Sequence, residues 1–279
     1  MWRTKDNTFT ISSERRDMLT RVKNELLYRV RRLRGCGPRV IHPVATFPGA
    51  DASCICVVAH PDDEILWLSS VLSEHSRVVA CFAEEVADEG LGKARRRAMS
   101  QLPYAVSVCL GLTEPGLYET VNWRRTGMDE RSLPEMAVDA SALQHAYRAL
   151  MQRLREHVAG VEHVFTHNPW GEYGHEEHVL VYAALRALKS EFGYQLWYSN
   201  YCADRNSSYA ARFMGNGISV GAVARETNAA LYRRCQRVYM DAGCWTWCDP
   251  WPLYETEYLL PDSLVFDENA GFGRAFTLN

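Results

Sequence analysis

The run Cys54-Ile55-Cys56-Val57-Val58-Ala59 leads directly into His60-Pro61-Asp62-Asp63-Glu64, and this junction limits the possible folds more than any other stretch of the chain. A short apolar, β-branched run bounded by turn residues reads as a buried strand. Ile65-Leu66-Trp67-Leu68 resumes the apolar pattern, so strand, tight turn and helix are expected in that order. Pro61 suits a first helical turn, where its missing N–H would have no partner in any case. The end of such a strand is where open α/β sheets place their chemistry. An arbitrary Asp-Asp pair is most often a solvated charge cluster, but here the pattern is repeated.

Val161-Glu162-His163-Val164-Phe165-Thr166 reads as a second strand and His167 to Gly174 as a polar loop. His175-Glu176-Glu177-His178 then opens a helix that continues from Val179 to Leu185. Both segments run strand, loop, helix, with histidine at the helix entrance. His60 and Asp63, like His175 and His178, are spaced i, i+3, which brings each pair to one face of a first turn. Two strand ends can therefore converge on one ion. Imidazole and carboxylate without thiolate suit zinc or another first-row divalent metal such as iron(II), and three protein ligands leave a position open for water. His60, Asp63 and His178 are the expected ligands. Asp62 points away from its neighbour's ion and is free to act as general base. His175, one turn from a ligand, is placed to stabilise an oxyanion.

The HPDDE run, together with Gly171-Glu172-Tyr173-Gly174-His175-Glu176-Glu177-His178, resembles the zinc-dependent N-deacetylases of the PIG-L/LmbE family over residues 52–250. The resemblance implies zinc at His60, Asp63 and His178, Asp62 as general base, and His175 assisting the oxyanion or protonating the leaving amine. It implies that Tyr173 helps stabilise the transition state and that Arg97 contacts substrate, although the family's usual glutamate three residues on is Ser100 here. Glu177 stands where many members carry an aspartate that orients the catalytic histidine. The implied reaction removes the acetyl group from an N-acetylglucosaminyl small molecule. The long segment before the first motif points away from the compact mycothiol and bacillithiol precursor deacetylases. It favours the antibiotic-biosynthesis branch, with acetylated aminoglycosides of the paromamine and neomycin type ahead of glycopeptide pseudoaglycones. Glu172 and Glu176 are read as acidic groups that would favour a cationic aminoglycoside. A metallohydrolase cleaving a different bond and a sugar-binding protein without turnover are the readings from other classes.

With 279 residues, 47% of them hydrophobic, the chain can bury one large core. The expected architecture is a single Rossmann-like three-layer α/β domain with a mostly parallel sheet over 51–279, and a helical extension over 1–50 packed on it. In that extension Met18, Val22, Leu26, Val30 and Leu33 fall at helical spacing, and Gly35-Cys36-Gly37-Pro38 stops the helix. Val78 to Phe82 reads as a further strand, Gly92 to Gln101 and Asp139 to His157 as helices, and the irregular stretch 113–140 as one wall of a cleft. Trp170 is the preferred sugar-facing aromatic, whereas Trp245 and Trp247 are read as core. A net charge of −3 gives no basis for nucleic-acid binding. Without a long apolar stretch or a signal-like start, a cytoplasmic protein with no membrane span is expected. Nine cysteines lack a regular framework and read as reduced thiols, with Cys244 and Cys248 at most half a metal site.

Overall fold

The apolar runs become the centre of a seven-stranded sheet. β1 (Cys54–Val58), β2 (Arg77–Glu84), β3 (Val106–Thr113), β4 (His163–Thr166) and β5 (Gln195–Ser199) are parallel and lie in the order β3-β2-β1-β4-β5. On the β5 side, β7 (Val223–Glu226) and β8 (Thr256–Pro261) extend the sheet in the order β5-β8-β7, each antiparallel to its neighbour. β6 (Ile218–Ser219) and β9 (Leu264–Val265) form a separate antiparallel pair. This computed structural model describes residues 46–84, 88–127, 133–215, 218–219, 222–247, 253–262 and 264–265. The helix expected within residues 1–50 and Cys248 lie outside them.

Parallel neighbours need crossover connections. The helices are α1 (Asp63–Trp67), α2 (Glu89–Met99), α3 (Ala140–Val158), α4 (Glu176–Phe192), α5 (Ser207–Gly215) and α6 (Ala229–Ala242), with a 3₁₀ turn at Ser69–Val71. Strand side chains alternate between faces. Ile55, Val57, Val79, Val164 and Leu196 pack with Leu150 and Leu154 of α3 and Val181 and Leu185 of α4. Cys56, Val58, Val78, Phe165 and Trp197 pack on the other side with Met99 of α2 and Leu231, Cys235 and Tyr239 of α6. Covering both faces is why β1 reads as a continuous apolar run rather than an alternating one. Asp88 opens α2 by accepting the N–H groups of Gly90 and Leu91, and Asp139 opens α3 through Ser141 N–H. Among the described residues no helix is long and apolar enough to cross a membrane.

The order of the strands positions the site. From β1 the chain builds outward to β2 and β3, whereas from β4 it builds the opposite way to β5. The crevice outside the carboxyl ends of two strands at such a reversal is where α/β sheets bind ligands. Both sequence motifs follow these two strands.

Candidate metal centre

After β1 the chain turns through His60 and Pro61 to Asp62, whose φ of 104° is left-handed. A residue in that conformation cannot be part of a right-handed helix. α1 therefore starts at Asp63, and Pro61 lies in the preceding turn rather than in the first helical turn. Left-handed backbone is costly without glycine and tends to collect at functional sites. Here it is secured by side chains: Glu64 Oε2 accepts Asp62 N–H at 3.1 Å, and Asp63 Oδ2 accepts His60 N–H at 2.8 Å. Glu64, for which the sequence suggests no role, is fully buried and takes the hydroxyl of Tyr239 at 2.7 Å. Burial outweighs that hydrogen bond and raises its pKa to about 7.

The segment after β4 folds back just as tightly. Gly171 has a φ of 67°, and a Cβ there would stand 2.4 Å from the carbonyl oxygen of His175, so only glycine fits. Asn168 ties this loop to the end of β5: its Oδ1 accepts Glu172 N–H at 2.9 Å and its Nδ2 donates to Tyr201 O at 2.8 Å. His175 caps α4, with Nδ1 accepting Glu177 N–H at 3.3 Å. Its ring stacks on His178 with 4.6 Å between centroids and 5° between planes. Burial holds the His175 pKa well below the ordinary histidine range, and the adjacent His60 acts the same way. The ring is thus neutral at pH 7, with Nε2–H as its donor.

The two segments meet at Asp63. Its Oδ2 lies 3.2 Å from His60 Nδ1, 3.3 Å from His178 Nε2 and 3.5 Å from His167 Nε2, while Oδ1 accepts the Trp67 indole N–H at 2.9 Å. His167 escaped the sequence reading, although its place directly after β4 mirrors that of His60 after β1. Glu177 does not orient His175: its Oε2 lies 2.8 Å from His60 Nε2. Burial opposes charge on His60, and the hydrogen bonds to Asp63 and Glu177 outweigh it, raising the pKa to about 10.

The donor atoms fit a divalent metal. His178 Nδ1 lies 2.7 Å from Glu172 Oε2 and donates to it, which leaves a lone pair on Nε2. That Nε2 is buried, makes no hydrogen bond and faces Asp63 Oδ2. Two electron-rich atoms opposed in the interior are unfavourable unless a cation joins them. Donor atoms of Asp63, His167 and His178 lie within 4.8 Å of one another, as do those of His60, His175 and His178. The expected triad of His60, Asp63 and His178 is not itself one of these groups: His60 joins His178 in one and Asp63 joins it in the other, and the ring nitrogens of His60 face Asp63 and Glu177. Imidazole with carboxylate is a donor set for zinc or iron(II).

A cavity of about 360 Å³ opens here, lined by His60, Asp62, Asp63, Tyr173 and His175, and also by Arg95, Glu114, Tyr118 and Trp247. That volume suits a small ligand or part of a larger one. Burial, then the neighbouring carboxylates Asp63 and Glu64, pushes Asp62 well above the ordinary carboxylate range. The stretch after β3 forms a wall, contributing Glu114 and Tyr118.

Several residues do not sit as the sequence suggests. Trp170 is fully buried, donates its indole N–H to Tyr201 O at 2.6 Å and packs edge-on against Tyr198, so it belongs to the core. Trp247, read as core, packs against Trp67 and Tyr173 at the edge of a core cluster and also lines the cavity. Arg97 is exposed and donates to Ala242 O at 2.6 Å. Arg95, two residues earlier and so about 200° around α2, faces the cavity and pairs with Glu114. Glu172 and Glu176 are both turned inward; the Glu176 carboxylate accepts the N–H groups of Val121 at 3.1 Å and Glu119 at 3.2 Å.

No family model matches the chain. Among solved structures, it is similar to the zinc-inhibited form of teicoplanin deacetylase, with a TM-score of 0.49 and 13% identity over 78% of this chain and 99% of that one. The deacetylase–teicoplanin complex gives 0.48 and 13% over the same shares. The A40926 pseudoaglycone deacetylase gives 0.46 and 13%, covering 75% of this chain and 96% of its own.

Proposed function

We propose that this chain is a metal-dependent hydrolase that removes the acetyl group from an N-acetylglucosaminyl small molecule. One observation carries the reading: the unbonded His178 Nε2 faces Asp63 Oδ2 beside a cavity that Asp62, Tyr173 and His175 also line. The motif resemblance names the bond and the sugar. His60, Asp63 and His178 would hold the metal, zinc in the first instance, which supplies Lewis acidity and makes water a nucleophile at neutral pH.

The side chains supply the remaining chemistry. Asp62 takes the proton of the attacking water; its raised pKa makes it a stronger base than an ordinary carboxylate. His175 is held neutral and offers Nε2–H to the developing oxyanion, because Glu177 N–H occupies Nδ1. Tyr173, edge-on to both His175 and His178, brings a hydroxyl to the same cavity. When the tetrahedral adduct collapses, the C–N bond breaks, acetate forms and the proton held by Asp62 passes to the leaving amine. Trp247 and Tyr118 offer flat apolar walls for a sugar ring, and Arg95 and Glu114 offer partners for its hydroxyls.

The inward turn of Glu172 and Glu176 removes the first argument for a cationic substrate. Asp62, Asp63 and Glu114 are the acidic groups lining the cavity, and they keep an acetylated aminoglycoside such as N-acetylparomamine at the head of the panel. Glycopeptide pseudoaglycones and thiol precursors follow. Metal-loaded protein incubated with this panel should convert at least one compound to a product lighter by one acetyl group, with acetate released. Cleavage of a phosphoester, with every acetyl group left intact, would replace this reading by another metallohydrolase activity.

A further inference from the structure

Glu172 is 1% exposed and does not line the cavity, yet its carboxylate is fully engaged. Oε1 accepts Asn168 N–H at 2.9 Å, while Oε2 lies 2.7 Å from His178 Nδ1 and 3.1 Å from His167 Nδ1. The two rings that share this oxygen stack with 3.8 Å between centroids and 21° between planes. At the far edge of the stack the rings differ. His167 Nε2 accepts Ala59 N–H at 2.8 Å, so its lone pair is taken. His178 Nε2 has no hydrogen-bond partner and faces Asp63. Distance alone would count both rings as ligands; the hydrogen bonds separate them.

We propose that Glu172 is a positioning residue: one carboxylate oxygen fixes the tautomer and orientation of His178 and His167 together, making His178 the metal ligand and His167 a stacked brace. The proposal rests on the metal-hydrolase reading. A buried carboxylate is costly to keep, and an apolar group of similar volume is commonly no worse for stability. Orientation of a ligand is a return that an apolar group cannot give, since a metal-binding histidine holds its geometry through its second nitrogen. The backbone supports this placement: Glu172 has a left-handed φ of 48°, and Asn206 Nδ2 donates to its carbonyl at 3.1 Å.

Cobalt(II) titration against a chelating dye, read together with the visible d–d spectrum, tests the assignment. Wild type should bind one equivalent. Glu172→Gln should bind about 10- to 100-fold more weakly, with a changed spectrum. His167→Gln should keep one equivalent and His178→Ala should lose it. Wild-type affinity and spectrum in Glu172→Gln, or complete loss in His167→Gln, would overturn the proposal. A wild type that binds no cobalt would overturn the metal reading and this proposal with it. Nitrogen-15 shifts of the histidines in metal-free wild type give a readout free of folding effects: both His167 and His178 should carry the proton on Nδ1. An Nε2–H tautomer in either ring would contradict the assignment.

Discussion

Asp63 Oδ2 and His178 Nε2 face each other across 3.3 Å with no hydrogen bond to His178 Nε2. One residue follows the turn after β1 and the other lies in the first turn of α4, so the reversal of strand order is what brings them together. Each is fixed from behind: Trp67 donates to the other oxygen of Asp63, and Glu172 accepts from the other nitrogen of His178. Both side chains are thus held by partners within the protein. Such support would keep ligand geometry tight at the proposed metal site.

The exchange of roles between two tryptophans is testable. Trp170→Ala should cost about 3–5 kcal/mol of stability, as truncation of a buried aromatic does, read as a lowered urea midpoint. Trp247→Ala should cost less stability and raise KM about 2- to 10-fold, in line with the loss of one aromatic contact. The opposite pattern would return the sugar-facing role to Trp170.

Two arginines separate in the same way. Arg95→Ala removes the cation beside Glu114 and Asp62 and should lower kcat/KM at least about tenfold, which corresponds to 1.4 kcal/mol. Arg97→Ala touches only the end of α6 and should change kcat/KM by no more than about twofold. Steady-state kinetics on the two variants decide between them.

Asp262 offers a pH test remote from the proposed metal ligands. Tyr182 donates its hydroxyl to Oδ1 at 2.6 Å, but burial outweighs this and raises the Asp262 pKa. The folded chain therefore holds that proton more firmly than the unfolded one. Its contribution to stability is complete below the unfolded pKa of about 4 and is lost as pH rises through the native value. Asp262→Asn retains an acceptor for Tyr182 and cannot ionise. The stability of wild type relative to this variant should fall as pH is raised from about 4 to 7, measured by urea unfolding at both ends; a rise would contradict the assignment.

Strands β1, β2 and β4, the two turns and the cavity-facing His60, Asp62, Asp63 and His175 were legible because the signals are local: an apolar run, a turn residue, and histidine or aspartate at i, i+3. What lies behind each ring was not. Glu177 reaches His60 across the crevice, and Glu172 turns back on His167 and His178 through a left-handed backbone; neither follows from spacing along the chain. Trp170 lies in the loop after β4 but points into the core, because its indole N–H finds Tyr201 O beyond β5. Arg95 and Arg97 differ by two residues, which on a helix reverses the face. Asp62 illustrates both cases, since its candidacy as base was readable whereas its φ of 104° and its support from Glu64 required the fold.

Metal content and turnover measured on the same preparations test the central claim most directly. Wild type, Asp62→Asn and His178→Ala would be loaded with zinc, freed of excess ion, analysed by mass spectrometry for bound metal, and assayed for acetate release. Wild type and Asp62→Asn should each retain one equivalent, with turnover in Asp62→Asn lowered about 10²- to 10⁴-fold, and His178→Ala should retain none. Undiminished turnover in Asp62→Asn, or an active wild type that holds no metal, would contradict the account.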